Sequence, residues 1–289
     1  LLILNKNTAL NKQLIDLFIK NAIAEDVGDG DHTSLSTIAA GTQGRARLIV
    51  KEDGILAGVE LALEIFNQID NSLKTTVFIE DGASVKYGDI ALTVEGSTHS
   101  ILLAERLVLN CMQRMSGIAT KTNRIVTALK PYKTQVLDTR KTTPGLRYLE
   151  KWAVKIGGGV NHRIGLYDMI LIKDNHVDYA GGIANAINAA NNYLKETGKN
   201  LEIEIEVRNL TELKEVLATG SINRIMLDNF DLPLLKQAVD IIDGRFTTEA
   251  SGGIVEENVT DYAACGVDFI SMGALTHSVK SLDLSLKAF

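Results

Sequence analysis

The 289-residue sequence predicts an α/β protein in two parts, a small mixed α+β domain followed by a closed or nearly closed parallel α/β barrel. Three observations carry that prediction. Short strand-like runs separated by turn signals occupy residues 44–98. Helical spacing then persists for some thirty residues. From about residue 131 onward, a short apolar strand, a polar or glycine-rich tip and a helical stretch recur in succession, the grammar of a parallel sheet.

Taken in order, residues 9–26 place Leu14, Leu17, Phe18 and Ala22 on one helical face, and DVGDGDHTS ends that helix. RARLIV, TTVFIE and DIALTVEG follow as strands, VELALEIFNQI is long enough for a helix, and ASVKYGD reads as a hairpin-type turn. Residues 100–130 read as two helices broken near Ser116–Gly117. The barrel strands are TQVLDTR, DMILIKDN, LEIEIEV, RIMLDN, RFTTEASGG and DFISMGA, with helices such as GIANAINAANNYLKET, NLTELKEVLATG and PLLKQAVDII between them. The expected organisation is therefore an N-terminal domain over 1–115, a helical connection over 116–130, a catalytic barrel over 131–275 and a C-terminal segment over 276–289.

Composition narrows the function. No run of eighteen apolar residues exists, so no membrane partner is expected. The opening LLILNKNTAL has no basic lead-in or small-residue cleavage site and does not read as a signal peptide. Cys111 and Cys265 stand in unrelated contexts; one disulfide is possible on paper, but a reducing cytoplasm fits better. A net charge of −6 argues against a nucleic-acid partner. Residues 138–174 nevertheless carry seven Lys/Arg against four acids, a basic zone suited to a small anion. No dinucleotide fingerprint or Walker A pattern occurs, and His32, His99 and His277 match no metal-ligand spacing.

In barrels the chemistry sits at the C-terminal ends of the strands. Here those tips supply cations after the first two strands (Arg140, Lys141, Lys173), carboxylates on the middle strands (Glu206, Asp228, Glu249) and small residues after the last two (Ser251, Gly252, Gly253, Gly273). Glu202, Glu204 and Glu206 alternate with apolar residues and share one strand face, with Glu206 nearest the tip. Asp228 is either a turn starter or, with Glu206, a ligand for Mg²⁺ or for ribose hydroxyls. The late-strand glycines let backbone N–H groups approach a phosphate, with a following helix N-terminus adding a favourable dipole. The run GGGVNHRIG presents His162 and Arg163; arginine pairs bidentately with carboxylates. Lys173 at a barrel strand end is also what a Schiff-base aldolase would use, but Asp174 beside it and an anionic ligand keep it charged.

These segments closely resemble the carboxylating nicotinate-nucleotide pyrophosphorylases, the quinolinate phosphoribosyltransferase family. The likeness covers nearly the whole chain and is carried by EDVGDGDHTS, LLAERLVLNCMQRMSGIAT, the block from Val136 to His176, EIEV, IMLDNF, EASGGI and SMGALTHS. It implies an N-terminal α+β sandwich, an open or incomplete barrel of six to seven strands, and a homodimer or an assembly of dimers. It implies formation of nicotinate mononucleotide, diphosphate and CO₂ from quinolinate and 5-phosphoribosyl 1-pyrophosphate in NAD biosynthesis, with Mg²⁺ and no organic cofactor. By resemblance Arg140, His162, Arg163 and Lys173 surround the two pyridine carboxylates, and Arg106 reaches them from the partner subunit. Lys141, Glu206 and Asp228 handle the activated ribose and its metal, the two carboxylates directly or indirectly. Ser251, Gly252, Gly253 and Gly273 hold its phosphate. One departure from the family pattern is Arg208–Asn209 after the EIEV strand, which removes none of these residues. A related protein of molybdenum transport would not be expected to keep the full dicarboxylate set, and a non-catalytic sensor would lack Glu206 and Asp228.

Overall fold

The computed structural model describes residues 9–289, with side chains from residue 12. Residues 1–8, most of the segment read above as no signal peptide, lie outside the described residues. The chain divides into two compact units. One comprises Arg124–Thr142 and Gly159–His277, and the other the described part of Ile3–Asn123 with Thr143–Gly158 and Ser278–Phe289.

In chain order the first elements are α1 (Ala9–Val27), α2 (His32–Thr37), β1 (Gln43–Val50), β2 (Gly54–Ile55) and α3 (Val59–Ile69). Next come β3 (Lys74–Val77), β4 (Ser84–Val85), β5 (Ile90–Ser97) and α4 (Thr98–Leu129). The DHTS signal is an N-cap, Asp31 accepting the Ser34 N–H at 3.1 Å to start α2. Antiparallel β1, β5 and β3 form a sheet whose register pairs Leu48 with Leu92. Both residues are fully buried, as are Ile65 and Phe66 of the amphipathic α3.

The expected break near Ser116–Gly117 does not occur, because α4 is one helix of 32 residues. Glycine serves packing there. A Cβ on Gly117 would lie 2.3 Å from the Lys280 carbonyl oxygen, while the Ser116 hydroxyl donates to Ala57 O and accepts from Ala57 N. A glycine inside a helical pattern thus marked a close approach of a distant segment rather than an end.

β6 (Gln135–Leu137), α5 (Arg147–Ile156) and β7 (Ile170–Ile172) follow, then α6 (Asp174–Ala180), α7 (Ile183–Thr197), β8 (Ile203–Val207) and α8 (Leu210–Thr219). The chain continues through β9 (Arg224–Asp228), α9 (Leu232–Ile242), β10 (Thr247–Ser251), α10 (Val259–Ala264), β11 (Phe269–Ser271), α11 (Ala274–His277) and β12 (Leu284–Ala288). Helix α5 and strand β12 fall in the unit that holds the N-terminal sheet, whereas the sequence reading assigned 131–275 to the barrel and 276–289 to a separate tail. Long-range contacts place them: Arg114 pairs with the buried Glu150 of α5 at 2.8 Å, and β12 pairs antiparallel with β1.

All six strands expected for the barrel form, and every pairing among them is parallel, in the order β6-β11-β10-β9-β8-β7. β6 and β7 end the sheet unpaired with each other, with a bridge from Leu137 to Val160 on the β6 edge, so the sheet is open. The helices are locally specified. Asn209 accepts N–H bonds from Thr211 and Glu212 to cap α8, and Asp231 caps α9 with Pro233 in its first turn. The departure at Arg208–Asn209 therefore builds a helix start, reinforced by an Arg208–Glu212 ion pair at 2.7 Å.

Candidate active site

Strand alternation sends one set of side chains of β8, β9 and β10 toward the sheet's concave interior and the other toward its helices. Ile203, Ile205 and Val207 are buried on the helix side, which leaves Glu204 and Glu206 on the other. The strand begins at Ile203, so Glu202 lies outside it. Above the interior face, at the C-terminal strand ends, lies a cavity of about 620 Å³. Arg140, Lys141, His162, Arg163, Lys173, Glu206, Asp228, Ser251, Gly252, Gly253 and Gly273 all line it. Of the expected site residues Arg106 alone is elsewhere, exposed on α4 in the unit that holds the N-terminal sheet.

The cationic end is built on two short loops. Asp138, fully buried at the end of β6, accepts the His162 N–H at 2.9 Å and the Asn161 side chain at 2.6 Å. Asp168 accepts the N–H groups of Ile164 and Gly165 at 2.7 and 2.9 Å. Between these carboxylates Arg163 is half-buried and donates to Met169 O at 3.2 Å. Burial and the neighbouring charge of Arg140 both lower the Arg163 pKa from its ordinary value.

Lys173 Nζ lies 2.7 Å from Glu206 Oε2 across the cavity. An ammonium paired in this way is not the amine in an apolar setting that a Schiff-base aldolase requires. Asp228 follows Glu206 on the neighbouring strand and accepts from the Asn229 side chain at 2.6 Å.

The small residues after β10 and β11 are needed sterically. Gly252 has φ +93°, and a Cβ there would meet Asn229 Oδ1 at 2.2 Å; Asn229 itself sits at φ +56°. A Cβ on Gly273 would press on the Lys141 side chain at 2.9 Å, and Thr276 Oγ1 fixes the Lys141 carbonyl at 2.8 Å. The expected helix dipole at this end is a weaker feature. The helices that follow have only six and four residues.

At the cavity floor, which His162 and Glu249 help to line, lies a charged cluster that the sequence reading did not assemble. Glu204, Glu249, Arg224 and His162 are all buried. Arg224 NH1 donates to Glu249 Oε2 at 3.0 Å, and the guanidinium stacks over Phe269. His162 Nε2 lies 3.0 Å from Glu204 and 3.5 Å from Glu249. Burial raises the Glu204 pKa, and the charge of Glu249 adds to it, to about 7. Burial disfavours a charged His162, but hydrogen bonds and charges from Glu204 and Glu249 outweigh it and push the ring up to about 9. A second ring proton would have to enter at Nδ1, where the Arg163 N–H already points at 2.7 Å. While that amide is in place the ring carries one proton, on Nε2, and stays neutral despite the pull of the two carboxylates. The available signal was a charged residue in mid-strand, as in Glu249 of TTEAS; which partners it meets depends on register across three strands.

The chain matches known proteins over most of its length. The family model described as quinolinate phosphoribosyl transferase, C-terminal domain, matches residues 118–287, and the corresponding N-terminal domain matches 31–116. A chloroplastic nicotinate-nucleotide pyrophosphorylase (carboxylating) of Arabidopsis thaliana is 51% identical over 284 residues, covering 93% of this chain and 81% of the relative. A probable nicotinate-nucleotide pyrophosphorylase (carboxylating) of Bacillus subtilis is 40% identical over 96% of this chain and 94% of its own. The solved structure of the nicotinate-nucleotide pyrophosphorylase from Francisella tularensis superposes with a TM-score of 0.89 at 41% identity, covering 96% of each chain.

Proposed function

Because the chain belongs to the quinolinate phosphoribosyltransferase family, we propose that it converts quinolinate and 5-phospho-α-D-ribose 1-diphosphate to nicotinate mononucleotide, diphosphate and CO₂ in NAD biosynthesis. One observation carries the reading: a single cavity joins Arg140, Arg163 and Lys173 to Glu206, Asp228 and the glycine turns. The cations suit a dicarboxylate, the carboxylates suit a ribose that becomes positive at its anomeric carbon, and the turns suit a phosphate.

In the first step the pyridine nitrogen bonds to the anomeric carbon as the bond to diphosphate breaks. Glu206 and Asp228 lie on the ribose side and stabilise the charge that develops, while Lys141 neutralises phosphate. The ribosylated nitrogen is cationic, so it accepts the electron pair left when the adjacent carboxylate departs as CO₂. A proton then replaces that carboxylate on the ring carbon. The protein's task in this second step is to hold the dianion in register, and no organic cofactor is needed. Two carboxylates on adjacent strand tips fit Mg²⁺, which takes one or two carboxylates and completes its shell with water and substrate phosphate. Glu206 and Asp228 would hold it, directly or through water, and it would offset the charge of the leaving diphosphate.

Supplied with Mg²⁺, quinolinate and the activated ribose, the protein is expected to release diphosphate and CO₂ in equal amounts. Turnover of nicotinate without CO₂ would assign it to the non-decarboxylating class.

The site is shared, on this reading, in a homodimer where each subunit lends its exposed Arg106 to the other's dicarboxylate. Arg106→Ala and Lys173→Ala are each expected to be inactive alone. After mixing and subunit exchange they should regain up to about one quarter of wild-type sites, since random pairing makes half the dimers mixed and each mixed dimer has one intact site. No recovery after demonstrated exchange would place Arg106 in its own chain's site or in structure only. Two free, buried cysteines fit a reducing compartment, which we take to be the cytoplasm. No helix among the described residues is long and apolar enough to cross a membrane.

A further inference from the structure

Both ring nitrogens of His162 face groups of the protein itself, Nδ1 in a hydrogen bond and Nε2 at ion-pair distance. Nε2 faces Glu204 at 3.0 Å and Glu249 at 3.5 Å, two carboxylates with no exposure. Nδ1 accepts the backbone N–H of Arg163 at 2.7 Å. An acceptor nitrogen carries a lone pair, so the ring proton in this arrangement belongs on Nε2, between the carboxylates. The surrounding turn leaves the ring little freedom, because Asp138 fixes the His162 amide and Asp168 fixes the two amides after Arg163. Arg224, by holding Glu249 at 3.0 Å, completes a layer that anchors the ring from below.

We propose that His162 is a positioning residue: Glu204 faces its Nε2–H at ion-pair distance, its Nδ1 holds the Arg163 amide, and the ring thereby aims Arg163 into the cavity. It supplies neither an N–H clamp for the dicarboxylate nor the proton for the ring carbon. The assignment rests on Arg163 being a ligand of the dicarboxylate, and it deepens that reading by adding Glu204 as the group that sets the histidine. A donor role would need a ring N–H facing the substrate, and in this geometry the one N–H faces the buried carboxylates while the other nitrogen is an acceptor.

The test combines ring-nitrogen NMR with two variants. In protein carrying ¹⁵N-histidine, the His162 signals are assigned by their loss in His162→Asn and read at neutral pH, free and with quinolinate. The expected result in both states is a protonated Nε2 and a bare Nδ1. Glu204→Gln keeps an oxygen facing Nε2–H but loses the charge, and should raise the quinolinate KM about threefold with kcat changed little. His162→Asn cannot reach Glu204 and should raise the quinolinate KM roughly tenfold, with kcat changed much less. A protonated Nδ1 in either state would overturn the proposal. So would a loss of kcat at unchanged quinolinate affinity in either variant, since that marks proton donation. If the wild-type protein bound no quinolinate, the proposed reaction would fall, while the free-state ring spectrum would still decide the tautomer.

Discussion

Arg163→Ala is expected to weaken quinolinate binding by about 30- to 4,000-fold, the equivalent of roughly 2–5 kcal/mol for truncating one partner of a buried charge pair. Part of that loss is the cost of leaving a substrate carboxylate desolvated and unmatched. Arg163 is half-buried and held by Met169 O, and its lowered pKa reports the company of Arg140 in a partly dry site. Affinity for the activated ribose should be nearly unchanged, because its phosphate is expected at the glycine turns and its ribose at Glu206 and Asp228. Calorimetric titration of each substrate separately makes the comparison. Equal weakening of both would mean that Arg163 supports the cavity as a whole, and unchanged quinolinate affinity would remove it from the site.

The second large effect is expected in turnover. Asp228→Asn preserves shape and removes a charge beside the anomeric carbon, where positive charge grows as diphosphate leaves. Loss of one preorganised electrostatic contact of this kind typically lowers kcat by about 10²–10³. Quinolinate affinity should move only a few-fold, since Arg140, Arg163 and Lys173 remain. Single-turnover measurement of diphosphate release, beside an equilibrium quinolinate titration, separates the two quantities. Full turnover in the variant would end the proposed role of Asp228.

The barrel and its tips were legible in the sequence because both follow from local pattern. Apolar runs such as RIML and ILI end at polar residues, and the helices between them carry their own caps, as Asn209 and Asp231 show. Strand ends on a parallel sheet then converge whatever the loops do, which is why so many expected site residues line one cavity. Features set by contacts far apart in sequence were not legible. Gly117 looked like a helix break because its reason, the carbonyl of Lys280, lies more than 160 residues away. The place of α5 and β12 beside the N-terminal sheet depends on Arg114 finding Glu150 and β12 finding β1. The cluster of His162, Glu204, Glu249 and Arg224 depends on register across three strands and a loop. Alternation in LEIEIEV placed Glu204 on the same face as Glu206, but not that one is fully buried and the other lines the cavity.

The central claim is that the strand-tip cavity of the barrel unit receives the pyridine dicarboxylate. A crystal structure of the protein with quinolinate tests it most directly. Both carboxylates are expected within hydrogen-bond distance of Arg140, Arg163 and Lys173, with the ring nitrogen facing Glu206 and Asp228 and His162 still accepting the Arg163 amide through Nδ1. Quinolinate bound away from these three cations would contradict it.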